Sequence, residues 1–411
     1  MTLSNNKFKK PAVLNVSKPI DSLQFIIHGQ GVFFFTANEP CSFMIWDESK
    51  TTGLRINYTS NAVEVQLEPS KEPLVDTHCS RGLTTQKGAY YWFSVDSQNQ
   101  RLYAGIGEAR METRTYEYML NKSTKQFLES LRIVEKVAPS TAVFTRLLRD
   151  PITKTVPLLV KDTNELTMDS IAQALYIPRA NLSPTSQRLY HCISGKQFQL
   201  STPDFPEFAD AIEHSIATPG KWCYETLKQK ATEFNKDKPN TQETYLRITL
   251  GENNGESPGV PYVMEIWPVG HYSPIHNHGE SSAVIRVLHG SIHVSLFPFL
   301  SDDAVTPFAQ TTFAKGDITW ISPTLNQVHQ LKNLPENKDT CITIQCYMYE
   351  SSDKDHHDYF DYIESNKGIQ YFEPDSDMDF IEFKKTMKKE WLELQAQRAA
   401  QCFPLLKRKA V

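Results

Sequence analysis

The stretch from Trp267 to Asn333 constrains the fold of this chain more than any other. It opens as Trp267-Pro-Val-Gly-His-Tyr-Ser-Pro-Ile-His276-Asn-His278 and continues through Ala283-Val-Ile-Arg-Val-Leu-His-Gly290 and Ser291-Ile-His-Val-Ser-Leu-Phe. It then reaches Gly316-Asp-Ile-Thr-Trp-Ile-Ser-Pro323 and Val328-His329-Gln-Leu-Lys-Asn333. Short β-branched and aromatic runs punctuated by glycine and proline predict strands, with Gly290 turning one strand into its hairpin partner. Side chains at i and i+2 of an extended chain point the same way, so His276 and His278 can offer two imidazoles to one cation. His329 is the candidate third ligand. Any one of these histidines alone is more simply a structural residue; the three together in this frame predict a metal site.

The same residues carry a family resemblance. Gly270, five residues, His276-x-His278 and then Gly290 resemble the first motif of the cupins, and Gly316, Pro323, His329 and Asn333 resemble the second. Most cupins place a glutamate in the first motif, and here Ala283 stands at that position. A site of three histidines without a carboxylate is similar to that of the thiol dioxygenases, cysteine dioxygenase most of all. Further matches follow in order: Tyr245-Leu-Arg247, Trp267, Ser273 to Ile275, and Thr343-Ile-Gln345-Cys-Tyr347. The resemblance covers residues 240–352 only.

It implies Fe(2+) held by His276, His278 and His329. It implies a small carboxylate-bearing thiol as substrate (L-cysteine first, 3-mercaptopropionate second), with dioxygen as co-substrate and a sulfinate as product. Arg247 would grip the carboxylate beside Tyr245 and Trp267. Tyr347 and Tyr245 would be the catalytic tyrosines, and Ser273, Thr343 and Gln345 would support them from behind. Two departures bear on this. Ala283 cannot form the cysteine–tyrosine cross-link of the animal enzymes. Gln345 replaces a histidine; an amide can hold a tyrosine by hydrogen bond but cannot carry a proton at neutral pH. A register using Tyr349 in place of Tyr347 stays open.

The residue types suit that chemistry. Three neutral imidazoles leave a divalent ion its full charge, which favours an anionic ligand such as a thiolate. Arginine offers a planar fork matched to a carboxylate. Two rival readings remain: a metal-containing cupin that binds a ligand as a regulatory module, and a cupin isomerase or hydrolase using zinc or manganese.

The chain has 411 residues, room for several domains, with 40% hydrophobic and 22% charged residues. The expected fold class is mainly β with helical segments. Residues 1–123 predict a β-sandwich from six or more short aromatic strands; the pattern loosely resembles lectin-like modules, which implies a sugar or a protein as its partner. Residues 124–235 predict a helical linking region: Phe127, Leu128, Leu131 and Val134 recur at helical spacing, Thr167 can cap a helix, and Pro206 opens another. Residues 236–352 are the expected cupin barrel. Residues 353–411 predict an acidic loop and an amphipathic helix with Phe380, Phe383, Met387, Trp391 and Leu394 on one face.

A net charge of −5 gives no case for nucleic acid or an anionic membrane. No apolar run reaches the length of a membrane span, and the expected location is the cytoplasm. Seven scattered cysteines without paired spacing predict free thiols. His271, His289 and His293 read as supporting residues, and His356-His357 as a solvated loop.

Overall fold

The structure is a computed structural model that describes residues 12–76, 81–251, 261–303, 305–349, 359–364 and 367–407. Cys79 and His356-His357 lie outside the described residues. The fold is mainly β, with several sheets and a long helix at Phe380–Lys407. It divides into two compact units: residues 1–156 with 301–308, and residues 157–300 with 309–411. No helix among the described residues is long and apolar enough to cross a membrane.

The first unit is a sandwich of two six-stranded sheets. Phe33, Phe35, Phe43, Phe93 and Phe144 meet between the sheets with Ile56 and Tyr58. Alternation explains the burial: Val63 and Val65 are buried while Glu64 is exposed. The helical expectation for residues 124–235 fails in this part of the chain. Only Lys125–Ser130 is helical, whereas Ile133–Lys136 and Val143–Leu148 are strands. Each of these strands is hydrogen-bonded on both sides, so neither sheet is complete without it. The sandwich therefore runs to Val156, not to residue 123. Val134 falls by chance at helical spacing from Leu131, and burial between two strands outweighs that local pattern.

The second unit carries the candidate site. Its strands are β1 (Leu159–Lys161), β2 (Tyr176–Pro178), β3 (Leu246–Leu250), β4 (Tyr262–Trp267), β5 (Ser282–His289), β6 (Ser291–Leu296), β7 (Ala309–Ala314), β8 (Ile318–Ile321), β9 (His329–Lys332), β10 (Cys341–Met348), β11 (Phe360–Glu364), β12 (Gly368–Phe372) and β13 (Met378–Asp379). An eight-stranded sheet has the order β2-β1-β8-β5-β10-β4-β3-β13, a three-stranded sheet the order β7-β6-β9, and β11-β12 is a separate hairpin. Neither sheet closes on itself, so the expected barrel is an open two-sheet arrangement.

The reason lies at Gly290. The register of β5 against β10 shifts between Val287 and His289. Gly290 then turns at φ +65° where an added Cβ would lie 2.6 Å from the Thr340 carbonyl oxygen. The chain thereby leaves one sheet for the other. β6 pairs with β7 and β9 rather than with β5, which corrects the expected hairpin.

The helix Pro184–Ile193 packs against β5 and β10 of the large sheet, and three more cover its outer face toward β3 and β4: α1 (Phe208–Ala217), α2 (Trp222–Gln229) and α3 (Phe380–Lys407). Phe208, Ile212, Leu227, Phe383 and Met387 pack there against Leu246, Ile248, Met264 and Ile266. The last four are alternate residues of β3 and β4, so Tyr245, Arg247, Glu265 and Trp267 point to the opposite face. Thr167 caps the short helix Met168–Ala172 as expected, but Met168 and Ile171 are exposed.

Candidate metal and ligand site

The inner face of the large sheet and the small sheet enclose a cavity, and His276, His278 and His329 form part of its wall. All three offer a ligand atom within 4.8 Å of one another. His329 opens β9. His276 and His278 lie in an extended segment between β4 and β5 that forms single bridges, not the continuous strand expected from sequence. Backbone bonds fix that segment: His276 N–H donates to the His329 carbonyl and His329 N–H to the His276 carbonyl.

Hydrogen bonds also orient the rings. His276 Nδ1 is 3.0 Å from the Pro274 carbonyl oxygen, and His329 Nδ1 is 3.2 Å from that of Asn326. A carbonyl only accepts, so both Nδ1 atoms carry the proton and both Nε2 atoms present a lone pair. His278 Nε2 lies 3.2 Å from His329 Nε2. His278 Nδ1 is buried with no partner. Moving the His278 proton from Nε2 to Nδ1 frees a third lone pair for an ion.

Two Nε2 atoms at that separation suit ligands about 2.1 Å from one ion. Burial holds His276 down to about 4 and His329 down to about 3, and places His278 well below its ordinary value. Neutral imidazoles are the form a metal binds. The residues present therefore fit a single metal ion, and no aspartate or glutamate joins the trio among the described residues.

The expected site residues occupy the same cavity. Tyr245, Arg247, Trp267, Thr343, Gln345 and Tyr347 all line it. The Tyr347 ring centroid is 5.7 Å from that of His278. Tyr349 does not line the cavity. Ala283 pairs directly with Tyr347 across β5 and β10 and is fully buried. Tyr245 stacks on Trp267 at 4.1 Å between centroids. Ser273 sits behind the site: its hydroxyl accepts from Leu331 N–H, tying the histidine segment to β9. Asn333 is buried and donates to the Trp267 and Asp339 carbonyls. His271 approaches the Thr244 carbonyl and His293 the Thr312 hydroxyl, both outside the cavity lining.

Sequence reasoning missed two kinds of residue. The first is Glu265, a buried acid in an apolar strand and the direct partner of Arg247 in the β3–β4 register. Arg247 Nη1 donates to Glu265 Oε1 at 3.0 Å. Burial raises the Glu265 carboxyl and Arg247 pulls it back down. Burial works to lower Arg247, but Tyr347, Glu265 and Tyr245 more than offset this. Arginine stays protonated, so Glu265 is its counter-ion. Burial also raises Tyr347 and Tyr245, which keeps both hydroxyls protonated.

The second kind comes from β11 and β12. Phe360 and Phe372 line the cavity, and the Phe360 ring lies 4.7 Å from His278. No local signal marked either residue, because both fall beyond the expected barrel.

The cavity is small, about 60 Å³ as swept by the centre of a water-sized sphere, where one water needs roughly 10–15 Å³. Its lining is mostly apolar, with Ile285, Val287, Ile292, Val294 and Leu331 among its walls. Besides His278 Nδ1, three neutral polar atoms on its lining residues, Trp267 Nε1, Thr343 Oγ1 and Gln345 Nε2, are buried without hydrogen-bond partners. Gln345 influences the Glu265 carboxyl without completing a hydrogen bond to it through Nε2.

No family model matches the sequence. Among solved structures, the chain is similar to the Cnp3 cupin domain of Schizosaccharomyces pombe, at 14% identity over 27% of this chain and 68% of that one, with a TM-score of 0.21. It is similar to an L-ribose isomerase of Geodermatophilus obscurus at 11% identity over 26% of this chain and 61% of that one, with a TM-score of 0.20. An oxalate oxidase in complex with the substrate analogue glycolate aligns at 16% identity over 26% of this chain and 51% of that one, with a TM-score of 0.20. The likeness is confined to about a quarter of this chain.

Proposed function

We propose that this chain is a mononuclear non-haem iron enzyme that oxidises the thiol of a small molecule to the sulfinate. The observation that carries the reading is a trio of buried neutral histidines with no carboxylate among them, set in a small, mostly apolar cavity. His276, His278 and His329 would hold Fe(2+), which when bound supplies the site at which a thiolate and dioxygen react. The overall change is RSH + O2 → RSO2H: sulfur gives up four electrons, dioxygen takes them, and both oxygen atoms end on sulfur.

The chain's own residues bind, orient and exclude water. The apolar walls, with Phe360 against His278, keep bulk water from the reacting atoms. Trp267 Nε1–H, Thr343 Oγ–H and Gln345 Nε2–H are donors awaiting acceptors, which the sulfinate oxygens would supply. Tyr347 keeps its proton and offers an O–H donor beside His278. The cavity's small volume favours a thiol of a few heavy atoms over a peptide cysteine.

The reading is tested by loading metal-free protein with ferrous iron, supplying a panel of small thiols with ¹⁸O2, and measuring products by mass spectrometry. A sulfinate carrying two labelled oxygens is expected. Bound iron with no sulfinate from any thiol would sink the reading. Tight thiol binding without oxygen uptake would instead favour a ligand-binding module, which the already neutralised Arg247 supports.

A further inference from the structure

The cavity has two unlike sides, and the strand order separates them. Strands β3, β4 and β10 carry its charged pair, Arg247 and Glu265, and the three donors without partners, Trp267 Nε1, Thr343 Oγ1 and Gln345 Nε2. β5 lies beside β10, and there the lining turns apolar: Ile285 is the cross-strand neighbour of Gln345, and Val287 that of Thr343. The small sheet adds Ile292, Val294 and Leu331. Apart from His329 at the start of β9, the polar side-chain atoms on this side belong to Thr319 and Trp320 of β8, and both are already spent. Thr319 Oγ1 donates to the Leu158 carbonyl at 2.8 Å, and Trp320 Nε1 to the Pro157 carbonyl at 3.3 Å. A buried water needs two to four polar partners, so this side favours hydrocarbon over water. The other side holds donors that lack acceptors, beside an ion pair whose two charges give an anion and a cation equal reception.

We infer that β5, β8 and the facing small sheet form a dry subsite for an aliphatic group, so that the cavity takes a small amphiphile with acceptor atoms at one end and an uncharged hydrocarbon chain at the other. The space of about 60 Å³ has room for roughly four to six waters, which limits such a ligand to about as many heavy atoms. This partition of the cavity does not depend on the oxidation chemistry proposed above.

The test titrates the full-length chain, loaded with diamagnetic zinc, with methanol, ethanol, 1-propanol and 1-butanol. A fifth probe, 1,3-propanediol, has the heavy-atom count of 1-butanol but ends in a second hydroxyl. Methyl NMR of isoleucine, leucine and valine reads both the affinity and its location. Each added methylene is expected to tighten binding about fourfold, with shifts at Ile285, Val287, Ile292 and Val294. 1-Butanol is expected to bind at least about tenfold more tightly than 1,3-propanediol, whose far hydroxyl would lie unpaired against the apolar side. Val294→Phe fills the subsite and is expected to lose 1-butanol while still binding methanol. Should that variant fail to fold, the wild-type ranking of 1-butanol against 1,3-propanediol decides alone. Equal affinity for those two, a flat series, shifts confined to methyls outside the cavity, or no binding by any alcohol would each overturn the assignment. A failed alcohol series leaves the ¹⁸O2 result untouched, and an absence of sulfinate leaves the alcohol ranking untouched, so the two readings fall separately.

Discussion

His276 and His329 are locked to each other through their backbones: each donates its N–H to the other's carbonyl oxygen, at 3.0 Å in both directions. Two candidate ligands from separate parts of the chain are thereby held in register before any ion arrives. The third, His278, shares the segment of the first, and its ring stacks against that of His329 at 4.8 Å. Preorganisation of this kind reduces the ordering that metal binding must impose.

Replacing one ligand should therefore empty the site without unfolding the chain. His276→Ala, His278→Ala and His329→Ala are each expected to lower bound metal from about one ion per chain to below roughly a tenth. Elemental analysis after dialysis against buffered metal reads this, with circular dichroism as the fold control. Full metal content in any one variant would remove that residue from the ligand set.

The metal-free protein should lose stability in mild acid. An unfolded histidine titrates near pH 6.5, while burial holds His276 at about 4 and His329 at about 3 in the fold, with His278 also well below its ordinary value. The folded values are depressed, so the neutral forms stabilise the fold fully above about pH 6.5. That stability is lost as pH falls toward 4, because the unfolded chain takes up protons that the folded chain refuses. Urea unfolding between pH 7.5 and 4.5 measures it. A variant with glutamine at all three positions is expected to show a shallower pH dependence, and an equal slope would place the acid sensitivity elsewhere.

Asn333 should matter for stability rather than for metal affinity as such. Its amide donates to the Trp267 carbonyl at 2.8 Å and the Asp339 carbonyl at 3.1 Å, and its carbonyl oxygen accepts from Asn337. Asn333→Ala leaves these buried groups unpaired and is expected to cost roughly 1–3 kcal/mol, read as a shift in the urea midpoint. A cost within error of zero would show that water replaces the amide.

The sequence by itself determined what is local and chemical. The i, i+2 spacing of His276 and His278, the approach through Trp267 and Ser273, and the alternation that puts Thr343, Gln345 and Tyr347 on one face of β10 all follow from extended-chain geometry. The amphipathic closing helix was equally legible, because Phe383 and Met387 recur at its own period and are buried against the large sheet. Tertiary structure alone decided whatever depends on a partner distant in sequence. Ile133–Lys136 and Val143–Leu148 became strands because each is hydrogen-bonded on both sides. Phe360 reached His278 because the β11–β12 hairpin folds back over the site. Glu265 carried no signal in the sequence, and only the β3–β4 register sets it against Arg247. A side chain's periodicity is written along the chain, but the charge or ring it meets is chosen by long-range pairing and burial.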